Sequence, residues 1–301
     1  MIIMEPPSAL RLFLVMQGSI VPQIFSKIIS VALLSGSVLL LDMHVVSLPR
    51  IPIAAMGVFG IALSLFLGFR NNAAYERWWE ARRLWGGLIG DVRNLARQLT
   101  LFDIKASNRD YILSHIVAFA HLHKGYLRNQ DVQDDLTEWM DSETANKLNQ
   151  SRNPADAALR SITLRLAKLA RQDELSGYGQ MMISQTLSAL ANAQAGCERI
   201  ASTPLPFVYS LLIRRTTYLY CFLLPFALIG ATSWLTPIFV AIVAYVFFGL
   251  QTVTNELEHP FSNVQNGLPL DAMCRVIEIS AAEALDRVPP EPLAPKNHVL
   301  T

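Results

Sequence analysis

Between Ile51 and Phe69 the chain runs nineteen residues without a charge, IPIAAMGVFGIALSLFLGF, and Arg70 ends the run. At about 1.5 Å per residue, a helix of that length just covers the ~30 Å hydrocarbon core of a bilayer. The segment therefore reads as a spanning helix, and its faces differ. Gly60, Ser64 and Gly68 recur every four residues, a helix-packing face of small residues that lets a neighbouring backbone approach closely. Beside it runs a second row, Ile61, Leu65 and Phe69, bulky and wholly apolar. Apolar rows in spanning helices mostly pack or meet lipid, so the pattern alone favours that use over a pore lining. Val58 and Leu67 are expected to lie off this row.

Three more apolar runs accompany it: Ile24–Leu41, Thr217–Leu235 and Ile238–Val253, the last two linked by Thr236-Pro237 in an antiparallel hairpin. The fold class is thus all-α, an integral membrane protein with four transmembrane helices and a large cytosolic helical domain. Residues 1–22 read as an amphipathic lead-in, 23–70 as spans one and two, and 71–215 mainly as the cytosolic domain. Residues 216–254 hold spans three and four, 255–286 a cytosolic C-terminal helix region, and the proline-rich 287–301 a disordered tail. The start, MIIMEPPSALRLF, lacks a basic n-region and a cleavage site, so the first span is expected to be kept. Most Arg and Lys lie between spans two and three, which places both termini and the large domain in the cytoplasm, in the cell inner membrane.

Beyond the second span the helical pattern continues to about Leu99, now charged and aromatic. Trp78, Trp79 and Trp85 fit an aromatic belt at the membrane surface, and Glu80 can pair with Arg77 or Arg83 at i,i+3 spacing. Asn153-Pro154 reads as a cap and first helical residue.

The composition excludes several function classes. A net charge of +1 gives no global basic field for nucleic acid. Cys197, Cys221 and Cys274 lie far apart, with neither disulfide-framework nor metal-ligand spacing. No histidine falls inside a span to ligate a haem, and His121 and His123 are two apart on a helix, a poor metal pair. There is no glycine-rich phosphate loop. The chain reads as no enzyme, with no metal and no cofactor. A secondary transporter would show internal repeats or ionisable groups at mid-membrane, and the second span has none. A membrane-anchored adaptor or a secondary transporter stays open on pattern alone.

Several motifs together resemble the bestrophin family, in its bacterial branch. They are Gly18-Ser19-Ile20 before the first span, Phe69-Arg70-Asn71-Asn72 closing the second, and Arg77-Trp78-Trp79 after it. Cys197-Glu198-Arg199-Ile200 with its following prolines, and Glu258-His259-Pro260-Phe261 after the last span, complete the set. The resemblance covers roughly Arg11 to Leu285. It implies a homopentameric ion channel that passes small monovalent ions through one central pore, with membrane lipids and its own copies as partners. Ile61, Leu65 and Phe69 match the family's hydrophobic neck, and a second, cytosolic constriction falls near Met181 and Met182. Animal members conduct chloride and hold calcium in an acidic clasp after the proline-phenylalanine pair. Here that stretch is Ser262-Asn263-Val264-Gln265-Asn266-Gly267, without a carboxylate before Asp271, so no calcium clasp is expected. The bacterial branch implies cation selectivity, with chloride conduction the alternative. Arg70, at the inner mouth, is expected to point away from the pore, toward a carboxylate such as Glu76 or a lipid head group.

Overall fold

In a computed structural model of the chain, residues 1–2 and 18–301 are described, so most of the expected lead-in over 1–22 lies outside the described residues. Among them α-helices follow one another in the order α1 (Val21–His44), α2 (Ile53–Leu101), α3 (Ala106–Arg128), α4 (Gln133–Thr137) and α5 (Ser142–Asn149). Then come α6 (Pro154–Arg171), α7 (Gly177–Ser202), α8 (Phe207–Thr232), α9 (Thr236–Glu258) and α10 (Leu270–Ala284). The only β-pairing among the described residues is two isolated bridges near the chain ends.

The helix ends follow the sequence signals. Proline occupies the first turn of α1, α6 and α9, where its missing N–H costs no hydrogen bond. Asn153 accepts from the Asp156 N–H at 3.1 Å, and Ser176 accepts from the Gly179 N–H at 3.2 Å.

The chain divides into two compact units. One holds, among the described residues, 18–78 together with Pro204–His259. Among the described residues, Val21–His44, Ile53–Leu101 and Phe207–Glu258 are the segments long and apolar enough to cross a membrane. The third is two helices, because a 3₁₀ turn at Ser233–Leu235 separates α8 from α9. Tyr220 meets Phe247 at 5.3 Å and Tyr218 meets Phe248 at 5.0 Å, a pairing about that turn that makes α8 and α9 an antiparallel hairpin. Four helices therefore carry the apolar spans. The turn falls just before Thr236-Pro237, and Pro237 opens α9 instead of linking the helices. Met56, Leu63 and Leu67 of α2 close a core with Ile213, Tyr220 and Leu224 of α8 and Val240 and Phe247 of α9. Ile24 of α1 packs with Cys221, Ala244 and Phe248.

The other unit comprises Trp79–Thr203 and Pro260–Thr301 with the first residues. Its centre is α3, buried on every side from Ile112 to Gly125. Two expectations change here. Trp85 is fully buried and stacks on His123 with ring centroids 5.5 Å apart, so it serves this core and no membrane belt. The tail expected to be disordered is held at its end, where Ile2 bridges Val299 and the Ala272 N–H donates to the Thr301 carbonyl at 2.9 Å.

Candidate functional site

The forty-nine residues of α2 make one uninterrupted helix, about 74 Å long at 1.5 Å per residue, so its first part can span a membrane while the rest continues beyond. In the spanning unit this helix has two opposed sides. Met56, Gly60, Leu63, Leu67, Arg70 and Ala74 are buried against neighbouring helices. Ile61, Leu65 and Phe69 face outward, 73%, 56% and 59% exposed. Among the described residues the apolar row thus makes no core. Leu67 is off it, as expected. Val58 is not: it is 70% exposed, because seven residues before Leu65 is close to two full turns and returns to the same face.

The small-residue row behaves differently along its length. A Cβ at Gly60 would lie 2.7 Å from the Tyr220 hydroxyl oxygen, so glycine is what lets α8 approach there. Ser64 is exposed, and a Cβ at Gly68 would meet nothing within 4 Å. Each four-residue step turns about 40° around the helix, so two steps carry Gly68 out of the contact that Gly60 makes.

Arg70 turns inward. Its guanidinium donates through Nη2 to Glu258 and to Asn255, each at 2.9 Å, and the side chain is buried. The carboxylate that holds it is Glu258 at the end of α9, where Glu76 had been the candidate. Glu76 instead accepts from Asn72 Nδ2 at 3.1 Å on the exposed side of α2. Glu258 was legible in principle: Arg70 and Glu258 each close an apolar run, which puts opposite charges at one depth. In the second unit Glu80 pairs with Arg199 of α7, a partner that no local spacing indicated.

Met181 and Met182 are both exposed on α7. The packed face of α7 runs through Gly179, Ile183, Thr186 and Leu190. At 100° per residue, Met181 projects most directly away from that face.

After α9 the chain folds back over Arg128 of α3. Its guanidinium donates to the carbonyls of Phe261 at 3.2 Å and Leu268 at 3.0 Å and to the Asp271 carboxylate at 2.7 Å. The oxygens of this loop thus already face a built-in cation. Next to it, His121 sits between Asp135 of α4 (3.0 Å) and Glu278 of α10 (2.6 Å), and Lys124 bridges Asp135 and Asp271. Burial lowers the His121 pKa, but the bonds to Asp135 and Glu278 outweigh it and raise the value above the usual histidine range. The same bond from His121, with help from Lys124, holds Asp135 well below the carboxylate range. His123 is the contrast: stacked between Trp85 and Phe119, it is pushed by burial down to about 3 and stays neutral. Among the described residues no group of three or more His, Cys, Asp or Glu is placed to hold a metal ion.

Residues 1–283 match the family model described as Bacterial/Fungal Bestrophin protein. The chain belongs to the bestrophin family. A voltage-dependent anion channel-forming protein of Mesorhizobium japonicum is 42% identical over 294 residues, covering 97% of this chain and 95% of the relative. The voltage-dependent anion channel-forming protein YneE of Salmonella typhimurium is 36% identical over 305 residues, the full length of both. A crystal structure of a bacterial bestrophin homologue from Klebsiella pneumoniae superposes with a TM-score of 0.82 at 34% identity, covering 88% of this chain and 100% of the other. Bestrophin membership accounts for the four apolar helices and the helical second unit together.

Proposed function

We propose that this bestrophin is one subunit of a homopentameric channel of the cell inner membrane, with both termini cytoplasmic, and that five copies of α2 surround a central pore for small monovalent ions. The observation that carries the reading is the outward apolar row of Ile61, Leu65 and Phe69, opposite the packed face through Leu63 and Leu67. Five copies of such a row make stacked apolar rings, a neck that gates by dewetting because an ion crossing it loses water without gaining ligands. Met181 on α7 supplies the second constriction. No calcium is needed, because Arg128 already meets the loop's carbonyls and Asp271.

The neck itself carries no charge, and the Arg70 charge is turned away and matched by Glu258. With the nearest cation withdrawn from the row's face, we assign a preference for cations. The names of the Mesorhizobium and Salmonella relatives support the other sign, an anion channel. Reconstitution in a planar bilayer with asymmetric NaCl separates the two. A reversal potential toward the sodium equilibrium value supports the cation assignment, a shift toward the chloride value overturns it, and no current at all would overturn the channel.

A further inference from the structure

The helix that carries the apolar row does not stop at Phe69, and neither does its outward face. Three and seven residues further on, close to one and two whole turns, stand Asn72 and Glu76, both exposed on the same side. The opposite side is closed by Arg70 and Ala74, both buried. Between Arg70 and Trp78 of α2, Glu76 is therefore the one exposed formal charge. Seven residues are about 10 Å along a helix, so its backbone sits roughly 10 Å beyond that of Phe69. Asn72, one turn nearer the row, donates through Nδ2 to Glu76 Oε1 at 3.1 Å and draws the carboxylate up toward it. The positive charge next to the row, Arg70, is committed to Glu258 and Asn255, and Arg77 donates to the Glu258 carbonyl at 3.3 Å.

We propose that Glu76 sets ion sign in this channel, as a ring of five carboxylates at the cytoplasmic mouth that concentrates cations next to the neutral neck. This rests on the reading of Ile61, Leu65 and Phe69 as pore-lining. A charged ring acts through its potential, so its influence follows the screening length, which is about 30 Å at 0.01 M salt and about 3 Å at 1 M. At about 10 Å from the neck, the ring is felt in dilute salt and largely screened in concentrated salt.

The test uses the assembled channel in planar bilayers. Leu65→Cys and Glu76→Cys are each exposed to a positively charged methanethiosulfonate reagent. The three native cysteines are buried, so the unsubstituted channel is the background. In parallel, Glu76→Gln and Glu76→Arg are compared by reversal potential at low and high salt, with five-subunit assembly checked by native mass. The expected result is modification of current at both cysteines. Glu76→Gln should lower the cation-to-anion permeability ratio several-fold in dilute salt and much less near 1 M, and Glu76→Arg should move it further toward anions. Modification at Leu65→Cys but not at Glu76→Cys overturns the role of Glu76 and leaves the pore row standing. Modification at neither overturns the pore row and the proposal with it. Modification at both with an unchanged permeability ratio in dilute salt shows that Glu76 lines the pore without setting ion sign, and the proposal fails.

Discussion

Two leucines two residues apart on α2 do opposite work. Leu67 is fully buried in the core with α8 and α9, whereas Leu65 faces outward on the apolar row. Leu67→Ala should cost about 2–5 kcal/mol, from lost transfer and the cavity left behind, and should leave unitary conductance nearly unchanged in whatever protein folds. Alanine at Ile61, Leu65 and Phe69 together should have little effect on thermal stability but raise single-channel conductance, since wider rings keep water and the neck's barrier is desolvation. An unchanged single-channel current in that triple variant, shown to be assembled, would sink the neck. Val58 belongs with the row, because it shares the exposed face. Removing one partner of the buried Arg70–Glu258 pair is a different kind of change: Glu258→Gln leaves an uncompensated guanidinium and should cost about 3–5 kcal/mol. A thermal unfolding midpoint equal to that of the parent protein would show that the pair matters little.

At the scale of helices, the second unit is fastened by charge as well as by packing. A neutral imidazole donates from one nitrogen only, so His121 needs its proton to hold Asp135 of α4 and Glu278 of α10 at once. The groups around it are Lys124 and Arg128 on α3 and Asp271, Cys274 and Arg275 on α10. Folding raises the His121 pKa, so this clamp is complete below the ordinary histidine value of 6.5 and is lost as pH rises through the raised one. Asp135, held low, contributes above the ordinary carboxylate value of 3.8 and ceases to as pH falls through its depressed value. Thermal stability of the detergent-solubilised protein should therefore fall on the alkaline side, and His121→Asn should flatten that limb. An alkaline limb of the same slope in the variant would show that another group causes it. Elements were legible in the sequence where a local signal fixed them: the uncharged runs and Asn153-Pro154. Trp85 was not, since nothing near it in sequence shows that His123 will lie against its ring. Nor was Arg128, whose acceptors at Phe261, Leu268 and Asp271 come from more than 130 residues further along the chain. Long-range pairing of this kind leaves no periodicity to read.

For the molecule as a whole, the row of α2 leaves a choice that one chain cannot make, because an exposed apolar face in a membrane is satisfied by lipid as readily as by a pore. The second unit is more decisive. There Leu101, Leu164, Tyr178 and Met181 are exposed on helices whose opposite faces form a packed core, and no apolar solvent is available to a water-facing domain. In the proposed assembly, side chains of that kind are covered where neighbouring copies meet. In the spanning unit Ser64 and Gly68 likewise present a small-residue face that none of the described residues fills. A second copy of the chain can cover a face of either kind, whereas lipid covers only the second. If the assembly is the pentamer proposed above, native mass measurement in detergent should show five subunits. Tyr178→Lys, which places a charge on the open face of α7 away from its packed side, should shift the protein toward smaller species while its helicity by circular dichroism stays unchanged. A monomer that carries the full single-channel current after reconstitution would remove the reason for a shared pore, and the apolar row would then return to lipid.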